Sequence, residues 1–82
     1  MPYNGGVPFR AEVLREARQR KGWTLREVSN RTEKLGRRVD HGNYAKYESG
    51  ELTGALPSTL EVLAKALDVD INELVLSKGD AA

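Results

Sequence analysis

The 82 residues carry 13 Lys and Arg against 12 Asp and Glu, no cysteine, and one histidine, His41. That composition excludes a disulfide framework and a thiolate or histidine metal cage, and a chain this short buries only about 60% of its unfolded surface in one modest core. No stretch approaches the ~20 apolar residues of a membrane span and no leader pattern is visible, so a cytoplasmic, non-membrane protein is expected.

Charge is unevenly placed. From Met1 to Arg38 there are ten basic residues and four glutamates, a balance of +6, whereas Val39 to Ala82 holds three lysines and eight acids, a balance of −5. Such asymmetry hints at a polyanion for one half of the chain. A solvated arginine-rich face is the plainer account.

The first seven residues read as a flexible arm, 8–76 as the domain and 77–82 as a tail, because both ends hold little that could anchor them. Pro8 suits the first turn of a helix reaching about Lys21, with Val13, Leu14 and Ala17 as its apolar stripe and Gly22 as its left-handed stop. Thr24-Leu-Arg-Glu27 opens a second helix: the hydroxyl can accept from the N3 amide while Glu reaches back to the cap. Leu25 and Val28 point inward, and the helix extends as far as Leu35 before Gly36. Ser58-Thr-Leu-Glu61 and Asp70-Ile-Asn-Glu73 repeat the same start signal. The first predicts a helix burying Leu60, Leu63, Ala64 and Leu67; the second, a short one burying Ile71, Leu74 and Val75.

Between Val39 and Gly50 two readings compete. Asp40 can cap a helix over His41–Ser49 with Gly50 as its stop. A hairpin turning at His41-Gly42-Asn43 is the alternative, since Tyr44 and Tyr47 favour strands. The helix is preferred, because an isolated two-stranded hairpin in a small helical domain would be poorly supported.

On that helix Tyr44, Tyr47 and Glu48 share one side, and Gly42, Ala45, Lys46 and Ser49 the other, flanked by His41 and Asn43. The outer face is small and polar with one cation. A major groove about 12 Å wide admits such a helix, where Asn can pair bidentately with adenine and Lys can donate to guanine or phosphate. The same ridge of small residues could instead pack another helix, and Gly42 could simply be tolerated there.

Five stretches occur in fixed order: Leu14-Arg-Glu-Ala-Arg-Gln-Arg-Lys-Gly22, Thr24-Leu-Arg-Glu-Val28, Tyr44-Ala-Lys-Tyr-Glu-Ser-Gly50, Pro57-Ser-Thr-Leu-Glu-Val-Leu-Ala-Lys-Ala-Leu67 and Val69-Asp-Ile-Asn-Glu-Leu74. Together they resemble the Xre-type (lambda-repressor-like) helix-turn-helix family from about Phe9 to Val75. The resemblance implies an all-α, five-helix domain with helices 2 and 3 as the motif, helix 3 lying in the major groove. It puts the recognition positions on His41, Gly42, Asn43 and Lys46, and an internal ion pair on Arg18 and Glu48.

Two departures matter. About five extra residues fall within Thr32–Arg38, and this segment, which carries Lys34, Arg37 and Arg38, is expected to meet the sugar-phosphate backbone; a solvated charged loop is the alternative. Leu25 stands where many relatives place a phosphate-binding glutamine, so anchoring there would rest on backbone amides, the Thr24 hydroxyl and Arg26. The loop Glu51–Leu56 is also longer than usual and uncharged after Glu51.

The expected function is sequence-specific DNA binding as a transcriptional regulator, a repressor, on double-stranded DNA. Members commonly act as dimers, and Ile71–Leu76 offers the apolar surface for a homodimer. The alternative is a protein-interaction module or antitoxin-like co-regulator with weak or no DNA binding. No nucleophile–base pair, carboxylate pair or metal cluster is visible, so neither an enzyme nor a cofactor is expected.

Overall fold

In the computed structural model, which describes residues 6–76, the chain runs β1 (Val7–Pro8), α1 (Ala11–Lys21), α2 (Leu25–Lys34), α3 (His41–Ser49), β2 (Gly54–Ala55), α4 (Pro57–Leu67) and α5 (Ile71–Leu74). Among the described residues there are five helices, in the predicted order. Residues 1–5 of the expected arm and the expected tail 77–82 lie outside the described residues.

Local chemistry accounts for most helix ends. Thr24 Oγ1 accepts from the Glu27 amide at 3.2 Å, opening α2. Asp40 and Asp70 open α3 and α5 by accepting from the amides of Gly42 and Asn72, each at 2.9 Å. Each of these caps satisfies one orphan donor and contributes about 1 kcal/mol. Gly22 and Gly50 close α1 and α3 in the left-handed region, at φ 71° and 87°. The hairpin reading of 39–50 is thereby excluded.

Two predicted starts are corrected. Ser58 does not cap α4; Leu56 holds that position and Pro57 is the first helical residue. Proline lacks the N–H that would be orphaned there and its φ already suits the helix, so it sets the boundary ahead of the serine. Pro8 is not in the first turn of α1 either. It pairs with Gly54, and Val7 with Ala55, in a short antiparallel ribbon. Val7, assigned by sequence to the arm, is thus part of the domain. At the ribbon's end a Cβ on Gly6 would come within 2.7 Å of the Gly54 Cα, and one on Gly54 within 2.8 Å of the Gly6 Cα. Only a glycine pair permits that approach.

The N-terminal segment also meets the far end of the domain. Phe9 bridges to Val75, the Leu76 amide donates to the Pro8 carbonyl at 3.1 Å, and the Arg10 amide to that of Leu74 at 2.8 Å. Consequently Ile71, Val75 and Leu76 are half-buried within one chain and Leu74 is fully buried. The apolar surplus that motivated a dimer through 71–76 is largely covered by the chain itself.

The core gathers Leu14 and Ala17 of α1, Val28 of α2, Tyr44 of α3, Leu60, Leu63 and Leu67 of α4, and Leu74, with Phe9 and Ala55 from the ribbon region. α1 packs on α3, α4 and α5, while α2 packs on α3 and α4. Each large side chain so buried contributes ~1.5–3 kcal/mol.

Thr32, fully buried, organises the additional residues before α3. Its hydroxyl donates to the Ser29 carbonyl at 2.8 Å and accepts from the Val39 amide at 2.9 Å. The Arg37 amide donates to the Thr32 carbonyl at 3.2 Å. The segment Thr32–Arg38 is therefore not wholly an inserted loop: its first three residues complete α2. Beside it, Ser29 is 2% exposed and its Oγ finds no hydrogen-bond partner among the described residues. Alanine at this position should stabilise the domain by ~1 kcal/mol, since it removes a desolvated donor at nearly constant shape. Thermal melts should show a rise of roughly 4–8 °C; a fall would mean that the hydroxyl is satisfied in solution.

Candidate nucleic-acid interface

α3 divides as its sequence suggests. Tyr44 is completely buried and Tyr47 and Glu48 are half-buried, whereas Gly42, Asn43, Lys46 and Ser49 are exposed and His41 and Ala45 half-exposed. The Phe9 and Tyr47 rings meet edge to face, with centroids 5.6 Å apart, so the inner face is held by aromatic packing. Gly42 has a local reason to lack a side chain: a Cβ there would sit 3.0 Å from the Asp40 carboxylate that caps the helix.

What orients this helix is Arg18. Its Nε donates to Glu48 Oε2 at 2.6 Å and its Nη2 to Oε1 at 3.0 Å, a two-pronged pairing between α1 and α3. Nη1 donates to the Trp23 carbonyl at 2.9 Å, which ties in the connection leading to α2. One guanidinium thus joins three segments of the motif, with only 19% of the Arg18 side chain and 9% of Glu48 exposed. The Glu48 hydrogen bonds push the Arg18 pKa further up, so its charge is permanent. Burial pushes the Tyr44 hydroxyl well above the usual tyrosine range, an effect reinforced by neighbouring Glu48. It remains a donor, reaching the Leu14 carbonyl at 3.3 Å.

At the start of α2, Thr24 and Arg26 are exposed, while Leu25 packs against the core. The Thr24 oxygen is already engaged as a cap.

The connection after α2 creates a feature that the residues alone did not reveal. Arg37, Arg38, Asp40, Asn43, Tyr47, Leu56 and Thr59 surround a shallow cleft of about 250 Å³ beside α3 and the start of α4. Arg37 Nη2 makes a long 3.4 Å contact to the buried Thr59 hydroxyl, and Arg38 lies 3.8 Å from the Asp40 carboxylate, both partners half-exposed. The structure therefore brings Arg37, Arg38 and Asn43 together. It leaves Thr24 and Arg26 at a separate position. Thr59 and Leu56 escaped the sequence reading; the signal was Pro57, which places both at the N-terminal end of α4.

Among the described residues there is no group of His, Asp or Glu able to hold a metal ion, and no helix is long and apolar enough to cross a membrane. The exposed face of α3 thus carries small and polar residues, on a helix clamped by the Arg18–Glu48 pair and flanked by Arg37 and Arg38. Neither the curated proteins nor the solved structures compared with the chain gave a significant match. A family model described as helix-turn-helix, however, matches residues 14–74, from the middle of α1 to the end of α5. With that span and this architecture, the chain belongs to the Xre-type, lambda-repressor-like helix-turn-helix family of DNA-binding regulators.

Proposed function

We propose that the protein is a sequence-specific transcriptional regulator, a repressor, that lays α3 in the major groove of double-stranded DNA. The observation that carries this reading is the exposed face of α3, where Asn43 and Lys46 stand beside Gly42 and Ser49. Small neighbours let the backbone approach base edges, and the Arg18–Glu48 clamp holds the helix at one angle. His41 stands at the groove-entering end of the same helix. Thr24, Arg26 and the free amides of the first turn of α2 are assigned to one phosphate strand.

Arg37 and Arg38 are assigned to the phosphates flanking α3, since their cleft adjoins Asn43. Changing both to alanine should weaken binding to all duplexes alike. The slope of log affinity against log salt should become shallower by about 1.8, as expected for two lost phosphate contacts. An unaltered slope would leave the pair as solvent-facing charges.

The overall test is fluorescence anisotropy of labelled duplexes, including the DNA upstream of the protein's own gene, at two salt concentrations with a scrambled control. Preferential, salt-sensitive binding to one fragment supports the regulator. Equally weak binding to every fragment favours the second reading, a protein-interaction module or antitoxin-like co-regulator. That reading draws on Leu25, which packs inward at a position where many relatives offer a polar group to phosphate.

A further inference from the structure

A second cleft lies where three helices end. Lys21 is the last residue of α1, Lys34 is the last of α2 with Leu35 as its cap, and Lys65, Ala66 and Asp68 close α4. Together with Trp23 and Arg31 they line about 340 Å³ of space. No residue of α3 takes part, nor do Thr24, Arg26, Arg37 or Arg38.

Its floor and its rim differ in character. Trp23 is half-buried, with the Lys21 ammonium 5.2 Å and the Arg31 guanidinium 4.7 Å from its ring centroid. Leu35 is 49% exposed, and only one other large hydrophobic residue among those described, Leu56, is comparably bare. Around this apolar pair stand Lys21, Arg31, Lys34 and Lys65 against the single acid Asp68. Arg31 also lies 3.7 Å from Glu27, but both side chains are more than two-fifths exposed, so that pairing holds it weakly.

Helix C-termini, each carrying about half a negative charge, favour basic residues in their last turn. That accounts for a lysine at each helix end. It does not account for a bare leucine and a cation-flanked indole at the same place. Asp68, moreover, is an acid at a helix C-terminus and is held at φ 61°, both locally unfavourable. An apolar seat ringed by long, mobile cations matches a short peptide that carries one apolar side chain between carboxylates. A DNA backbone offers phosphates but no apolar side chain for Trp23 and Leu35.

We propose that this cleft docks an acidic segment of a partner protein, its apolar side chain on Trp23 and Leu35 and its carboxylates on Lys21, Arg31, Lys34 and Lys65. Because α3 and the arginine-lined cleft take no part, the partner binds with DNA present or absent. The assignment stands independently of how DNA is read.

Trp23 is the only tryptophan in the chain, which gives the cleft its own reporter. The full chain is titrated with a synthetic peptide in which leucine is flanked by glutamates, following tryptophan emission. A second peptide, with glutamine for glutamate, is the control. The expected result is a saturable emission change for the acidic peptide, weakened by salt and absent for the control. K34E with K65E should lower affinity by roughly tenfold or more, and Leu35→Ala should weaken it as well. Lys34, Lys65 and Leu35 are exposed, and unchanged circular dichroism confirms folding of the variants. Leu35→Ala, which alters no charge, should leave non-specific duplex affinity as in the parent.

Three results overturn the proposal. The first is no emission change, or equal binding of both peptides. The second is a duplex that displaces the peptide while K34E with K65E loses DNA affinity, which makes the cleft a phosphate surface. The third is emission that varies with protein concentration alone, which makes the occupant a second copy of the chain.

Discussion

Replacing Glu48 with alanine should lower the melting temperature by roughly 10–20 °C, equivalent to a loss of about 2–3 kcal/mol. Small domains retain only about 5–15 kcal/mol in total, so this single change removes a large part of the margin. The cause is not the attraction alone. Arg18 spans α1, α3 and the Trp23 carbonyl with 19% of its side chain exposed, and without Glu48 its charge stays desolvated beside the buried Tyr44 ring. Arg18→Ala should cost a similar amount, because it leaves a carboxylate only 9% exposed and the Trp23 carbonyl without its donor. Arg18→Lys recovers the charge but not the two-pronged geometry, and should fall between the parent and Arg18→Ala. The informative variant is the double replacement Arg18→Met with Glu48→Leu, which should be clearly more stable than either single alanine, since no buried charge is then unpaired. Singles that melt like the parent would show that water satisfies the groups and that the clamp contributes nothing.

The same pair illustrates how much could be read from the sequence. Thr24, Asp40 and Asp70 announce their helices because a cap acts within two or three residues, and Gly22 and Gly50 announce the stops for the same reason. Ser58 misled because Pro57, a stronger local signal, sits one residue ahead of it. Features that depend on distant segments were not legible. The ribbon of Val7–Pro8 with Gly54–Ala55 is two residues long on each side, too short for alternation, and its register rests on the close approach of Gly6 to Gly54. Thr32 looks like an ordinary helical threonine until the chain turns back and offers it the Val39 amide. Arg18 and Glu48, thirty positions apart, were paired through the family resemblance and not through spacing. The outer face of α3 was visible because helical periodicity alone separates it from Tyr44. The gathering of Arg37 and Arg38 with Asn43 and Thr59, and of three helix ends around Trp23, needed the fold.

Alanine at Asn43 should reduce discrimination between the preferred and the scrambled duplex by about 1–3 kcal/mol, roughly five- to 150-fold, with little change in melting temperature. Asn43 and Lys46 are three residues apart on α3, so they lie about 4.5 Å apart along its axis and share its exposed face. A helix in the major groove therefore presents them to neighbouring base pairs, and their losses should combine. Asn43 offers paired donor and acceptor groups that fit one base edge, whereas Lys46 is a point charge that also suits phosphate. The two should consequently separate. Asn43→Ala lowers affinity for the preferred site while leaving the scrambled duplex nearly as before. Lys46→Ala lowers specific affinity too, but if its ammonium rests on phosphate both duplexes weaken equally and the salt slope flattens by about 0.9. Gly42 is a poorer probe, because a Cβ there crowds the Asp40 cap and mixes helix stability with recognition. Anisotropy on both duplexes at two salt concentrations distinguishes these cases. Equal losses on both duplexes for Asn43→Ala would remove α3 from base reading and leave the arginines to hold the protein on DNA without a sequence preference.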